Sequence, residues 1–194
     1  MLLMRDATDH HIMLQSGRLF DLVNPEASQI EIDDIAHGLA HTCRYAGQCN
    51  GFYSVAEHCV LVSQIVPNAK LQALFHDVAE AFIGDMARPL KQLLPDYVKI
   101  EKNIERSIFE SFGIDWPPPP EVKTADYSVM AAEQLILMPV GTNQWLGDAN
   151  IFPAQVRIRR LDPTKAKANF LERFWELRRD AKAVSSEITW DAEL

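Results

Sequence analysis

The stretch from Ser54 to Asp85, SVAEHCVLVSQIVPNAKLQALFHDVAEAFIGD, predicts two helices joined by a short turn. Ser54 followed by Glu57 fits a capping box at the start of the first helix. Pro67 ends that helix because proline cannot continue it, and Gly84 ends the second helix. A turn this short folds the two helices back against each other as an antiparallel pair.

The hairpin carries titratable side chains on its apolar helices. At a rise of about 1.5 Å per residue, His58 and His76 both lie about 10–12 Å from the turn and therefore at one level. Asp77 is adjacent to His76, and Glu80 lies one helical turn further on. Burying such groups without partners costs several kcal/mol, so they require a metal, one another or water. A divalent metal ion is the simplest of these explanations.

A further carboxylate, Asp126, lies on the apolar stripe of a helix predicted over residues 121–138. A carboxylate that faces a core needs a partner, which is either a metal or an arginine. Glu133 lies two turns later on the same face, where the sequence favours a structural role and leaves support of a metal ligand as the alternative.

The order His58, His76, Asp77 and Asp126 resembles the H…HD…D pattern of the HD-domain metal-dependent phosphohydrolases. Within it, HDVAEAFIGDMARPLK is similar to the HD-domain 5'-deoxynucleotidases of bacteria and to small dNTP triphosphohydrolases. The resemblance is strongest over residues 44–91. It implies one divalent metal ion held by the four residues, and ligand type alone leaves Mn, Co, Fe, Zn, Ni and Mg open.

The resemblance also implies roles for residues around the metal. Arg44 followed by the aromatic Tyr45 stands at the matching distance before the first metal histidine, which predicts a guanidinium that grips a phosphate. Tyr45 is then expected to stack on a base or sugar, or else to belong to the core. Glu80 is expected to orient water or move a proton, and Asp85 to serve a second proton transfer or to contact the sugar.

Two further substrate-binding candidates follow from motif and spacing. Lys91 matches the family's G-D-x-x-x-P-x-K and adds positive charge beside the site. His41 lies one turn before Arg44 and is therefore expected near the substrate. It shares a helix face with His37, and packing of the two rings is favoured over metal ligation.

These residues predict metal-assisted hydrolysis of a nucleotide phosphoester. The scarcity of cations beyond the first phosphate favours a 5'-nucleotidase that releases phosphate from (deoxy)nucleoside monophosphates. The alternatives are a dNTP triphosphohydrolase that releases triphosphate and, in another class, a catalytically silent nucleotide-binding module.

Helical periodicity extends nearly throughout the chain, which predicts an all-α bundle of about six or seven helices. We expect one domain over residues 1–194, with a less ordered arm over about 1–29 and a loose tail over about 184–194. The polar segment GTNQWLGDAN, residues 141–150, is a candidate lid.

Composition and charge limit the classes of binding partner and the cellular location that we expect. The formal net charge of −8 argues against broad nucleic-acid binding but permits a small anionic substrate. No apolar run approaches the about 20 residues of a membrane span, and the N-terminus lacks the features of a secretory signal. Three cysteines without C-x-x-C spacing fit a reducing compartment, so we expect a cytoplasmic protein. The resemblance also implies a possible homodimer.

Overall fold

The computed structural model describes residues 10–141 and 149–190, with side chains as far as residue 181. A short hairpin pairs β1 (His11–Met13) with β2 (Leu19–Asp21). The helices follow in the order α1 (Ile32–His41), α2 (Val55–Ile65), α3 (Lys70–Phe75), α4 (Glu80–Ile83), α5 (Arg88–Lys91), α6 (Pro95–Ser111), α7 (Pro120–Leu137) and α8 (Pro163–Trp190). Six of these helices have six residues or more, and α4 and α5 have four each, which confirms the all-α bundle.

The central hairpin forms as the sequence predicts. The hydroxyl of Ser54 accepts a hydrogen bond of 3.1 Å from the backbone N–H of Glu57 and so caps α2. The chain leaves α2 at Val66, immediately before Pro67, and enters α3 through Ala69 in a left-handed conformation with φ of 51°. Helices α2 and α3 then pack against each other, and this places residues from both at one level of the bundle.

The second helix of the hairpin is not continuous, although the sequence predicts a single helix to Gly84. Between α3 and α4 the backbone hydrogen bonds run three residues back: Val78 N–H donates to Phe75 O, and Glu80 N–H donates to Asp77 O. Such a tightened segment inside a helix is often associated with a functional site. No proline or glycine in this segment signals the change, so the pattern alone did not reveal it.

Helix α2 is the centre of the bundle, because it contacts α1, α3, α7 and α8. The main core lies around it and is completed by a group of aromatic rings from α3, α6 and α8. Phe75 is fully buried and contacts the rings of Phe109, Phe112, Phe170 and Phe174 at centroid distances of 5.4 to 6.4 Å.

A buried carboxylate fastens the segment before α8 to α2. Glu57 is 1% exposed, and its two oxygens accept backbone hydrogen bonds from Arg159, Arg160 and Leu161 at 2.6, 3.2 and 2.8 Å. These bonds satisfy a carboxylate that would otherwise be costly to bury. Because its partners are main-chain groups, the role of Glu57 is structural.

The N-terminal hairpin packs on the bundle. Phe20 of β2 is fully buried and stacks on Phe82 of α4 at 4.0 Å. Gly38 of α1 approaches the backbone of Ala81, also in α4, closely. The short helix that begins with Glu80 therefore contacts both the N-terminal hairpin and α1.

The remaining boundaries agree with the sequence in part. Helices α6 and α7 lie where the pattern places them, and Asp162 caps α8 by accepting a 3.0 Å hydrogen bond from the N–H of Lys165. Helix α8 extends to Trp190, where the sequence predicts a loose tail from about residue 184. Most of the candidate lid, residues 142–148, lies outside the described residues. Among the helices that are described, none is long and apolar enough to span a membrane.

Candidate metal centre and its surroundings

Four predicted ligands from three elements converge at one point in the bundle. His58 comes from α2, His76 and Asp77 from the tightened segment after α3, and Asp126 from α7. The Nε2 atoms of the two histidines are 3.2 Å apart. Asp126 Oδ1 lies 3.2 Å from His58 Nε2 and 3.8 Å from His76 Nε2. Asp77 Oδ2 lies 3.3 Å from His76 Nε2 and 3.7 Å from His58 Nε2.

These separations fit a metal ion. Two ligands that each lie about 2.1 Å from one ion are about 3.0 Å apart at a right angle and about 3.4 Å apart at the tetrahedral angle. The ligand atoms of His58, His76 and Asp126 all lie within 4.8 Å of one another, so this buried group could hold a metal ion. Asp77 approaches both imidazoles and can complete the set. Mixed nitrogen and oxygen donors suit several divalent transition metals.

Cys59 lies beside this group, with its sulfur in a second set with His76 and Asp77. Burial raises the pKa of the Cys59 thiol. Because His58, His76 and Asp126 form the more deeply buried of the two sets, we assign the candidate metal centre to the histidines and carboxylates.

The charges of the four residues are strongly coupled. Although burial opposes it, the neighbouring Asp77 raises the pKa of His76 well above its usual value. Conversely, hydrogen bonds from His58 and His76 hold the pKa of Asp126 well below its usual value despite burial. In the metal-free site these interactions favour ionised carboxylates and a protonated His76. Metal binding displaces such protons.

Each imidazole is oriented by a hydrogen bond on its far side. His76 Nδ1 donates to the backbone carbonyl of Ala73 at 2.8 Å, and His58 Nδ1 donates to Glu133 Oε1 at 2.6 Å. These bonds place the proton on Nδ1 and turn Nε2 of both rings towards the centre. Partners of this kind orient most metal-ligating histidines in proteins.

Glu80 follows the Asp77 segment directly and is 6% exposed. Its Oε2 has no hydrogen-bond partner within the part of the chain that the structure describes. Burial, followed by the charges of Asp77 and Asp85, raises the pKa of Glu80 well above its usual value. A raised pKa favours the protonated carboxyl group, the form in which a proton donor acts.

Arg44 lies at the edge of the metal centre, as the sequence predicts for a phosphate-binding residue. Its Nη1 donates to Asp77 Oδ2 and its Nε to Glu133 Oε2, each at 3.3 Å. The following residue, Tyr45, has a positive φ of 58°, a conformation that is costly for a bulky residue. Asp85 Oδ2 accepts a 2.8 Å hydrogen bond from the N–H of Tyr45. Asp85 thus holds the Arg44 turn, and its predicted proton-transfer role stays a prediction.

No family model matches the chain. The chain is 37% identical over 171 residues to the uncharacterized protein YfdR of Escherichia coli strain K12, and the match covers 84% of the chain and 92% of YfdR. The chain belongs to the YfdR family. An uncharacterized protein of Rhodobacter capsulatus is 39% identical over 121 residues, which are 57% of the chain and 62% of that protein. Neither name states an activity, so the function is argued from the site.

The two remaining predicted residues of this YfdR-family chain are held by neighbours outside the ligand set. Lys91 is half-buried, and its Nζ lies 2.6 Å from Glu101 Oε1. His41 is exposed, stacks on His37 at 4.1 Å and has its Nδ1 2.9 Å from His37 O. The packed histidine pair is confirmed, and substrate contacts for Lys91 and His41 stay predictions.

Three residues of the YfdR-family site have roles that sequence reasoning missed or ranked low. Glu133 contacts His58 and Arg44. Lys123 Nζ lies 2.7 Å from Asp126 Oδ2 on an exposed side chain. Glu105 of α6 is half-buried, and burial followed by the charge of Asp77 raises its pKa to about 7.

The helical spacing from Asp126 could have indicated the roles of Lys123 and Glu133. Lys123 stands one turn before Asp126, and Glu133 stands two turns after it on the same face of α7. For Glu105, helical periodicity identifies only the face of α6 and not the element that covers it.

Proposed function

We propose that the chain is a divalent-metal-dependent phosphohydrolase of the HD-domain type that acts on nucleotides. The reaction that the site supports best is hydrolysis of a (deoxy)nucleoside 5'-monophosphate to a nucleoside and phosphate. One observation carries the proposal: His58, His76 and Asp126 form one buried group, Asp77 approaches both imidazoles, and the Arg44 guanidinium lies 3.3 Å from Asp77.

His58, His76, Asp77 and Asp126 would hold the metal ion. A divalent ion at such a site lowers the pKa of a bound water and neutralises charge on the phosphate. The chain's own contribution is to fix both imidazoles in one tautomer and to keep both carboxylates ionised, since each of these groups binds metal only in that form.

Glu80 would move the proton. Hydrolysis forms a bond from water oxygen to phosphorus and breaks the bond from phosphorus to the sugar oxygen, which leaves as an alkoxide unless it receives a proton. Glu80 lies next to the centre, where its backbone N–H bonds to Asp77 O at 3.0 Å, and burial raises the pKa of its carboxyl group. Donation of a proton from Glu80 to the leaving oxygen would yield the neutral nucleoside, and the proton lost by the attacking water would restore Glu80.

Arg44 would bind the phosphate. A guanidinium matches two phosphate oxygens at once, which a lysine cannot do. The arginine is buried and already oriented by Glu133, so little conformational entropy is lost when it binds.

The described cations favour a monophosphate over a triphosphate. Lys91 is engaged by Glu101, with Nζ 2.6 Å from Glu101 Oε1. One observation supports the triphosphate alternative: Lys123 is 62% exposed and lies beside Asp126, where it can reach a second or third phosphate group. The chain would then be a dNTP triphosphohydrolase that releases triphosphate.

Product analysis tests these alternatives. The purified chain would be incubated with nucleoside mono-, di- and triphosphates in the presence of Mn²⁺, Co²⁺ or Mg²⁺ in turn. Beside the wild type we would measure His76→Ala, which removes a ligand, and the control His11→Ala, which alters a histidine of β1 outside the site.

We expect orthophosphate from monophosphates, loss of this activity in His76→Ala and its retention in His11→Ala. Inorganic triphosphate would assign the triphosphohydrolase reaction. Tight nucleotide binding without any product, under every metal, would instead support a catalytically silent binding module.

A further inference from the structure

Glu133 joins the metal centre to the phosphate-binding turn through a single carboxylate. Four side chains donate hydrogen bonds to it, and they come from α2 and from the segment between α1 and α2. Oε1 accepts from His58 Nδ1 at 2.6 Å and Tyr53 OH at 2.7 Å, and Oε2 accepts from Tyr45 OH at 2.8 Å and Arg44 Nε at 3.3 Å.

This carboxylate is fully buried, since Glu133 is 0% exposed. A buried charge is tolerated only when it is paired and hydrogen-bonded on all sides. Breaking any one of its contacts therefore affects the others.

The contacts of Glu133 form a closed ring. From Glu133 the ring passes to Arg44, from Arg44 Nη1 to Asp77, and from Asp77 to the His58 imidazole, which returns to Glu133. Two metal ligands and the phosphate-binding arginine thus share one set of contacts.

We propose that Glu133 is a positioning residue that directs His58 Nε2 towards the metal and holds Arg44 in place, so that metal binding and phosphate binding strengthen each other. The proposal rests on the proposed function of His58 and Arg44.

Metal binding and phosphate binding should strengthen each other because two nitrogens of the Arg44 guanidinium have separate partners: Nη1 contacts Asp77 and Nε contacts Glu133. If Asp77 held the metal, its carboxylate would be a weaker hydrogen-bond acceptor, and Arg44 Nη1 would be freer to bind a phosphate oxygen. Nε, which donates to Glu133, would keep the guanidinium at the centre. By linkage, phosphate bound at Arg44 must favour metal binding by the same factor.

The chain offers a matched control for a purely structural carboxylate. Glu57 is also buried and accepts several hydrogen bonds, but its partners are backbone amides before α8 and not side chains of the site. Both Glu57→Gln and Glu133→Gln should lower the free energy of unfolding. Only Glu133→Gln should change the metal centre.

The experiment titrates the metal-free full chain with Co²⁺ by calorimetry, with and without inorganic phosphate, and records the visible absorption of bound Co²⁺. Loss of a partner that orients a ligand typically weakens metal binding by about 10–100-fold. We expect this weakening and an altered Co²⁺ spectrum for Glu133→Gln, and wild-type values for Glu57→Gln.

In the wild type, phosphate should tighten Co²⁺ binding by at least about fivefold, whereas in Glu133→Gln the factor should fall towards one. Glu133→Asp keeps the negative charge but shortens the side chain by one methylene group. It should show the same weakening and serves if the glutamine variant does not fold.

Unchanged Co²⁺ affinity, spectrum and phosphate effect in a folded Glu133 variant would overturn the inference and leave Glu133 a structural residue. A wild type that binds no Co²⁺ would contradict the proposed metal centre itself and the inference with it. The two failures are therefore distinguishable.

Discussion

Replacing Gly38 with alanine tests how tightly the catalytic segment is held. Gly38 lies in α1 against α4, and a Cβ at this position would lie 2.3 Å from the carbonyl oxygen of Ala81 and 2.9 Å from its Cα. These are backbone atoms, so no flexible side chain can move aside. To restore a contact of about 3.0 Å, α4 must shift by about 0.7 Å, because overpacked groups can be accommodated only by backbone movement.

Two effects of opposite sign determine the stability of Gly38→Ala. Alanine is favoured over glycine inside a helix by about 1 kcal/mol. Overpacking of a closely packed site costs about 1–3 kcal/mol. We expect overpacking to prevail and the free energy of unfolding to fall by about 1 kcal/mol, which lowers the melting temperature of a chain of this size by about 2–4 °C.

Gly38→Ala should impair turnover more strongly than it lowers the free energy of unfolding. Because α4 begins at Glu80, the shift displaces the proposed proton donor. A displacement approaching 1 Å near the reacting atoms can lower turnover by about 100-fold, so a loss of at least about tenfold in kcat is expected here.

Thermal and urea unfolding, together with phosphate release from the best monophosphate, would measure both effects. Ala168→Gly, at an exposed position of α8, is the control that measures helix propensity alone and should also lower stability. If Gly38→Ala proved more stable than the wild type and fully active, the close approach of α1 to α4 would not constrain the site.

Three further predictions concern charge and metal. Burial raises the pKa of Glu105 from its ordinary value of 4.5 to about 7 in the folded chain, so the metal-free protein loses stability as pH rises from 4.5 through 7. The free energy of unfolding of Glu105→Gln, relative to the wild type, should therefore rise by about 2 kcal/mol from pH 5 to pH 8. If urea unfolding gave the same difference between the two proteins at both pH values, the prediction would be contradicted. Arg44→Lys should lower kcat/KM at least about tenfold, because one ammonium group cannot contact both Asp77 and Glu133 as the guanidinium does. Kinetics equal to the wild type would show that these two simultaneous contacts of Arg44 are not needed for activity. Chelation of Co²⁺ present at about 100 times its Kd should remove about 2.7 kcal/mol of stability, and His76→Ala should abolish this difference in thermal unfolding.

The sequence could predict that His58 and His76 lie side by side in the helical hairpin, because this depends only on local rules. A proline, a short turn and a fixed helical rise determine which residues of two antiparallel helices face each other. His58 and His76 accordingly have their Nε2 atoms 3.2 Å apart. Asp126 was found for a similar reason, since an ionisable residue on an apolar stripe needs a partner.

The partners of Glu133 and Glu105 could not be predicted, although the positions of these residues on their helices could. Periodicity shows which side of α7 is buried but not which side chains meet it, and Glu133 meets His58 from a distant part of the sequence. The turn at Arg44 was equally hidden, because Tyr45 and Ala46 have positive φ without a glycine to indicate it. The same holds for the segment at His76, where hydrogen bonds change to the three-residue pattern within an ordinary helical sequence.

Binding of one divalent metal ion by the four side chains can be tested by anomalous diffraction from crystals soaked in Mn²⁺. We predict one anomalous peak at about 2.0–2.3 Å from His58 Nε2, His76 Nε2 and an oxygen of both Asp77 and Asp126. Absence of a peak at this point, or a peak only at other carboxylates of the surface, would contradict it.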